Sequence, residues 1–135
     1  MKYDEWERGV PEEIRSDPLW TLRVYRIALF TADLATSDGR RLAASPVTER
    51  VAGQLVAATG SIGAHIAEGY SRLSKRERVR FYEYALGSAR EARDWYLRGR
   101  MELGDNTVHA RISTLTAIAK VLFVLIDRTR TKPGK

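Results

Sequence analysis

His65 and Glu68 stand three residues apart in a stretch of helical periodicity, so both fall on one helix face at the spacing of a metal-ligand pair. A carboxylate-bridged di-iron bundle needs Glu-x-x-His twice, with two further glutamates pointing inward. Here the order is reversed, the pair occurs once, and the other histidine is His109. No metal and no cofactor is expected, and His65 reads as a partly buried polar residue fixing its helix against a neighbour. Other chemistries fare no better. Without cysteine there is no thiol nucleophile, disulfide or zinc knuckle. There is no Gly-x-Ser-x-Gly elbow and no histidine beside a plausible Ser/Asp pair by sequence. Gly60-Ser-Ile-Gly63 lies inside a helical pattern, so it cannot cradle a phosphate as a loop would. Glu12 and Glu13 are exposed arm residues. No catalytic residue is assigned, and the chain is expected not to be an enzyme.

The basic residues are more suggestive. Arg72, Lys75, Arg76, Arg78 and Arg80 crowd one turn with Glu77 as the opposing charge, and Arg90, Arg93, Arg98 and Arg100 follow. Arg128, Arg130, Lys132 and Lys135 load the C-terminus. Planar guanidinium donors suit phosphate. A net charge of +6 and a pI near 9.9 permit a polyanionic partner. The competing account is a solvated face balanced by Glu83, Glu91, Asp94 and Glu102.

These residues must be carried by helices, because the hydrophobic pattern steps by three and four and never alternates. The 135 residues suffice for one domain with a hydrophobic core. We divide them into an N-terminal arm (1–16), a bundle (17–130) and a basic tail (131–135) expected to fray. Asp17-Pro18 should cap a first helix that ends near Ser37-Asp38-Gly39. Its stripes are Leu22, Tyr25, Leu29 and Ala32, and a second of Trp20, Val24, Ile27 and Leu34. Ser45-Pro46 should open a second helix with Val47, Val51, Leu55, Ala58, Ile62 and Ile66 inward. Three glycines within it, Gly53, Gly60 and Gly63, suggest that another backbone packs very close. Gly69 or the polar turn after it should end that helix. Ser74 and Glu77 fit a capping box for a third helix, with Tyr82, Ala85, Leu86, Ala89, Ala92, Tyr96 and Leu103 on one face. Gly104 should break the chain before a fourth helix that places Val108, Ile112, Leu115, Ala119, Leu122, Ile126 and Thr129 on one seam.

The expected fold is therefore all-α, an up-down-up-down four-helix bundle. Residues 117–126 are apolar nearly all round, so the fourth helix should be buried on more than one side. With the second stripe on the first helix, this favours a homo-oligomer. The longest apolar run, Val121 to Ile126, is too short to span a bilayer, and no signal peptide is visible. No membrane partner and a cytoplasmic location are expected.

Ser61, Ile62, His65, Ile66, Ala67, Glu68, Gly69 and Arg72 together resemble the S-I-x-x-N-I-A-E-G-x-x-R signature of the four-helix-bundle family named after the 23S ribosomal RNA intervening sequence. Ser74 to Glu77, Arg80-Phe81, and Ala85-Leu-Gly-Ser88 with Glu91 extend the likeness, and residues 20–28 are similar to the family's first helix. The resemblance implies a left-handed bundle assembled as a ring, a pentamer, with the eight signature residues structural. It implies no known activity. A distant branch serves diversity-generating retroelements as an accessory protein, binding nucleic acid and a reverse transcriptase. Two departures stand out: His65 replaces the usual Asn, and Gln54-Leu-Val-Ala57 lacks the arginine of a frequent Q-x-x-R.

On these grounds the chain is expected to be a non-enzymatic homo-oligomer acting as a nucleic-acid or ribonucleoprotein accessory, RNA or DNA, gripping phosphates through Arg72, Lys75, Arg76, Arg78 and Arg80. The alternative is a protein–protein interaction scaffold whose basic face meets an acidic protein. Glu68 is expected to accept a hydrogen bond or to pair with an arginine, Arg72 being in reach one turn on.

Overall fold

A computed structural model describes residues 1–132. The arm forms two short helices, α1 (Tyr3–Arg8) and α2 (Glu12–Arg15), and a 3-10 turn at Pro18–Thr21. Four long helices follow, α3 (Arg23–Ala43), α4 (Glu49–Tyr70), α5 (Lys75–Arg98) and α7 (Asp105–Thr131), with the single turn α6 (Arg100–Leu103) between the last two. No strand occurs among the described residues. Pro133 to Lys135, most of the expected basic tail, lie outside them; Thr131 still belongs to α7.

Several boundaries differ from the sequence expectation. Asp17 does cap, accepting from the Leu19 amide at 2.9 Å, but it caps the 3-10 turn, and α3 begins only at Arg23. Gly39 does not stop α3, which continues to Ala43. Asp38 is tolerated mid-helix because it is buried with partners of its own, and Gly39 is needed bare, since a Cβ there would lie 2.9 Å from Val56 Cγ2. Helix α4 starts at Glu49 rather than at Pro46, so Val47 is 86% exposed in the turn instead of facing the core. There Thr48 donates its hydroxyl to the Leu42 carbonyl at 2.6 Å and holds the α3–α4 connection shut.

The third helix, expected to run through Leu103, ends at Arg98, and Gly99 separates it from the turn that carries Leu103. Ser74 Oγ accepts from the Glu77 amide at 3.1 Å, which is half of a capping box; the Glu77 carboxylate turns to Arg80 instead. Gly104 takes φ +86°, a left-handed conformation that only glycine adopts cheaply, and separates α6 from α7.

Helix α4 packs against α3 and α5, α5 also packs against α7, and α7 closes more loosely onto α3. Leu55, Ile62, Ile66, Leu115 and Leu122 are fully buried. Each such side chain stabilises the fold by roughly 1.5–3 kcal/mol through removal of apolar surface from water. Ala85, Ala89 and Ala92 are also at 0% exposure, letting α5 approach its neighbours closely. Of the three expected close glycines, Gly63 alone meets a neighbour, with Leu29 Cδ2 2.9 Å from the position of a Cβ. Gly53 and Gly60 meet nothing within 4 Å inside the chain.

The arm is not free. Trp6 stacks on Trp20 at 6.2 Å and donates its indole N–H to Asp33 at 2.7 Å, while Tyr3 sets its edge against Phe30 at 5.5 Å. Of the second stripe of the first helix, Trp20 is thus covered by the chain's own arm, while Val24 lies in the core and Ile27 packs against it. Helix α7 differs. It is long and apolar enough to cross a membrane by length and composition, a property the shorter run Val121 to Ile126 did not reveal. Its inner face, Leu115, Ile118, Ala119, Leu122 and Ile126, is buried in the core, whereas Val121, Phe123 and Val124 are about half exposed on its outer side.

Candidate nucleic-acid interface

The α4–α5 hairpin positions the signature and the basic cluster. Ile62 and Ile66 point inward at 0% exposure, and Gly69 lies under Tyr82, where a Cβ would come 2.8 Å from ring carbon Cε1. Ser61 bonds back to the Ala57 carbonyl at 2.8 Å, and Ala67 is half-buried. His65 is half-buried against α5 while Glu68 is exposed. Among the described residues no group of three His, Asp or Glu side chains could hold a metal ion. His65 Nδ1 is shut off from solvent without a hydrogen-bond partner, 4.0 Å from Glu68 Oε1. Its ring lies against two aromatic side chains of α5, Tyr84 at 5.5 Å and Phe81 at 6.4 Å.

The five clustered cations are not gathered into one patch. Arg78 closes the turn: its Nη2 donates to the Tyr70 carbonyl at 3.0 Å and its Nε is buried. With its Nε buried and its Nη2 spent on the Tyr70 carbonyl, it is half-buried in the turn and offers fewer donors to a phosphate than its neighbours. Arg72 lies over the Phe81 ring at 4.7 Å rather than on Glu68, which corrects the expected Glu68–Arg72 pair. Arg80 lies over Tyr84 at 5.5 Å, donates Nε to its hydroxyl at 2.8 Å, and meets Glu77 at 3.4 Å. Those contacts hold the Arg80 guanidinium even more firmly protonated than usual.

Lys75 and Arg76 turn to the other side of α5. With Val79, Glu83 and Arg130 they line a depression of about 350 Å³ between α5 and α7, and Lys75 Nζ donates to the Lys132 carbonyl. Arg130 spans the groove to Glu83 at 3.2 Å. A second depression, about 210 Å³, continues past Glu83 and Arg130 to Phe123 and Asp127. A third, about 270 Å³, adds Arg90, Arg93 and Lys120 around Phe123. A line of cations therefore follows the α5–α7 groove: Lys75, Arg76, Arg130, Arg90, Arg93 and Lys120, with Glu83 and Asp127 as acids along it. Arg130 is paired with Glu83, and the other cations make no ion pair among the described residues; cations spaced along a helix groove attract a polyanion without reading its sequence.

Two features escaped the sequence. Lys120 joins Arg90 and Arg93 only because α7 packs on α5. The ring cluster of His65, Phe81 and Tyr84 needs α4 laid against α5, although the spacing of Arg80, Phe81 and Tyr84 on one helix hinted at part of it.

A family model described as 23S rRNA-intervening sequence protein matches residues 39–122, more than half of the chain and all of the α4–α5 hairpin. No curated protein matches. Among solved structures, the chain is similar to a protein of unknown function from the S23 ribosomal protein family of Bacteroides thetaiotaomicron, with a TM-score of 0.71 and 24% identity. The likeness covers 76% of this chain and 97% of that one, and at this identity it speaks for the fold alone.

Proposed function

The chain belongs to the 23S rRNA-intervening sequence protein family, and on that premise we propose that it is a non-enzymatic, cytoplasmic homo-oligomer that binds RNA or DNA as an accessory protein. The observation carrying this reading is the line of cations along the α5–α7 groove, which presents charge at a helix-scale spacing with few acids between. Arg72 and Arg80 add a second basic edge across α5. Phosphate contacts of this kind confer affinity and orientation, and each released counterion strengthens binding at low salt.

The long helices fit an up-down-up-down four-helix bundle, since α4 contacts α3 and α5 while α7 contacts α5 and α3; its left-handed turn is what the family resemblance implies. Assembly into a ring, which the family resemblance makes a pentamer, is supported by the outer face of α7, where Val121 and Val124 stand half exposed. A cyclic assembly joins two unlike patches. The exposed small residues Gly53, Ala57, Gly60 and Ala64 on α4 offer the complement, open to a helix from the next subunit. Covering α7 within a ring also accounts for its apolar length without a membrane. A titration of fluorescent RNA and DNA oligomers at low salt, read by anisotropy, tests the function. No binding to either would leave the chain as a protein scaffold whose basic face meets an acidic partner.

A further inference from the structure

His65, Phe81 and Tyr84 form an aromatic cluster outside the hydrophobic core. Phe81 and Tyr84 meet edge to face at 5.6 Å and 90°, with the His65 ring 5.5 Å from Tyr84 and 6.4 Å from Phe81. Neither Phe81 nor Tyr84 packs on the buried core, and Tyr84 is 42% exposed. Burial therefore does not explain these rings. A guanidinium lies over each of the α5 pair, Arg72 over Phe81 at 4.7 Å and Arg80 over Tyr84 at 5.5 Å. A guanidinium stacked flat on a ring keeps N–H donors at its edges, where they remain free to meet phosphate. Arg80 already gives its Nε to the Tyr84 hydroxyl and its Nη1 to Glu77, so Arg72, which makes no ion pair among the described residues, is the freer donor; Glu68 lies beside His65.

We infer that this face of α4 and α5 is a stacking platform for unpaired bases, so that the protein selects single-stranded RNA or DNA over duplex. An aromatic face accepts any base, because every base presents a π-surface, and duplex stacking withholds that surface. Arg72 and Arg80 hold the flanking phosphates while Tyr84, the more exposed ring, takes the base. The sugar is not read, so both nucleic acids serve. This inference rests on the nucleic-acid reading above and adds the class of strand.

The test uses the full chain and four probes of one length: single-stranded RNA and DNA carrying 2-aminopurine, an abasic strand with the same phosphates, and a duplex. Base stacking is worth roughly 5- to 150-fold in affinity per base, so the base-bearing strands should bind tighter than the abasic strand and the duplex by a factor in that range. Their 2-aminopurine emission should be quenched on binding. Tyr84→Leu, and Phe81→Leu with Tyr84→Leu, should remove the preference and the quench while leaving the salt dependence of the remaining binding unchanged. Unquenched emission from the bound wild-type complex, a reading that needs no variant to fold, would overturn the inference. Equal binding of base-bearing and abasic strands would overturn it as well and leave the phosphate-based function standing. Absence of binding to all four probes at low salt would remove both.

Discussion

The Asp38 carboxylate and the Arg111 guanidinium meet at 2.8 Å across α3 and α7, and the Tyr96 hydroxyl of α5 donates to the same carboxylate oxygen at 2.7 Å. Three of the long helices are tied at one buried point, on the side where α7 otherwise closes loosely. The Asp38 side chain is 5% exposed and that of Arg111 23%. Burial pulls the Arg111 proton affinity down, but Asp38 more than restores it, so the guanidinium stays charged. Breaking such a pair strands a buried charge, at a cost of about 3–5 kcal/mol. Asp38→Ala should lower the urea-derived stability by that amount, and Asp38→Asn, which still accepts from Tyr96, by less. A loss below about 1 kcal/mol for the alanine variant, the scale of an exposed pair, would mean that water replaces the carboxylate.

Alkaline pH should weaken the fold. Tyr96 is held well above the ordinary tyrosine range, by burial first and then by its hydrogen bond to Asp38 and that residue's charge. Burial also raises Tyr82 and Tyr25. Tyr3 is pushed up to about 12 by burial and by Glu7. An unfolded tyrosine ionises near pH ~10. Below that pH both states keep their phenolic protons and the stability is complete; above it the unfolded chain sheds protons that the folded one retains, so stability falls as pH rises. The urea midpoint should decline from about pH 10 upward, and Tyr96→Phe should flatten part of the decline. A midpoint independent of pH across that range would refute the assignment.

How much of this was legible is best judged at Asp38 and Gly39. As a local string they read as a helix stop, and the structure runs α3 straight through them. The reason lies far along the chain: the partners that make a buried Asp38 tolerable are 58 and 73 residues away. Ser74 and Gly104, whose roles are fulfilled by atoms within a turn, were readable directly. The same division runs through the candidate site. The cluster from Arg72 to Arg80 is visible as composition, but its division into a ring-stacked edge, a groove edge and the structural Arg78 depends on which face of α5 meets α4 and which meets α7.

Glycines on α4 should separate folding from assembly. Gly69→Ala would press a Cβ against the Tyr82 ring and to within 3.1 Å of the Arg78 carbonyl, neither of which can easily yield. Overpacking of this kind costs about 1–3 kcal/mol, visible as a lower melting temperature. Gly60 is exposed and a Cβ there meets nothing within 4 Å inside the chain, so with Gly60→Leu the helical content should persist. If the α4 face receives a neighbour, that leucine should lower the assembly's mass by light scattering. An unaltered mass would remove α4 from the interface.

Val121→Glu combined with Val124→Glu places two charges on the outer face of α7 while leaving Leu122 and Ile126 inside. Burying two unpaired carboxylates between subunits is prohibitive, so the particle should fall to the monomer mass of 15.3 kDa with its helical spectrum intact. Wild-type protein already at 15.3 kDa at micromolar concentration would end the ring proposal directly.

Salt dependence should sort the cations by role. Each phosphate contact contributes roughly 0.7 to 0.9 to the slope of log affinity against log salt. Lys75→Gln with Arg76→Gln removes two groove charges that make no contact with the core, so the slope should shrink by roughly 1.4 to 1.8 per engaged subunit, with the melting temperature unchanged. Arg78→Gln should behave in the opposite way. Its guanidinium holds the Tyr70 carbonyl at 3.0 Å and lies partly buried in the turn, so its loss should cost about 1 kcal/mol of stability and leave the slope alone. Multiple subunits sharpen the contrast. A strand long enough to reach two subunits gains effective concentration without new contacts, so affinity for wild type should rise steeply with oligomer length, and the groove variant should lose most on the long strands. Equal slopes for wild type and the Lys75/Arg76 variant would show that the α5–α7 groove carries no phosphate.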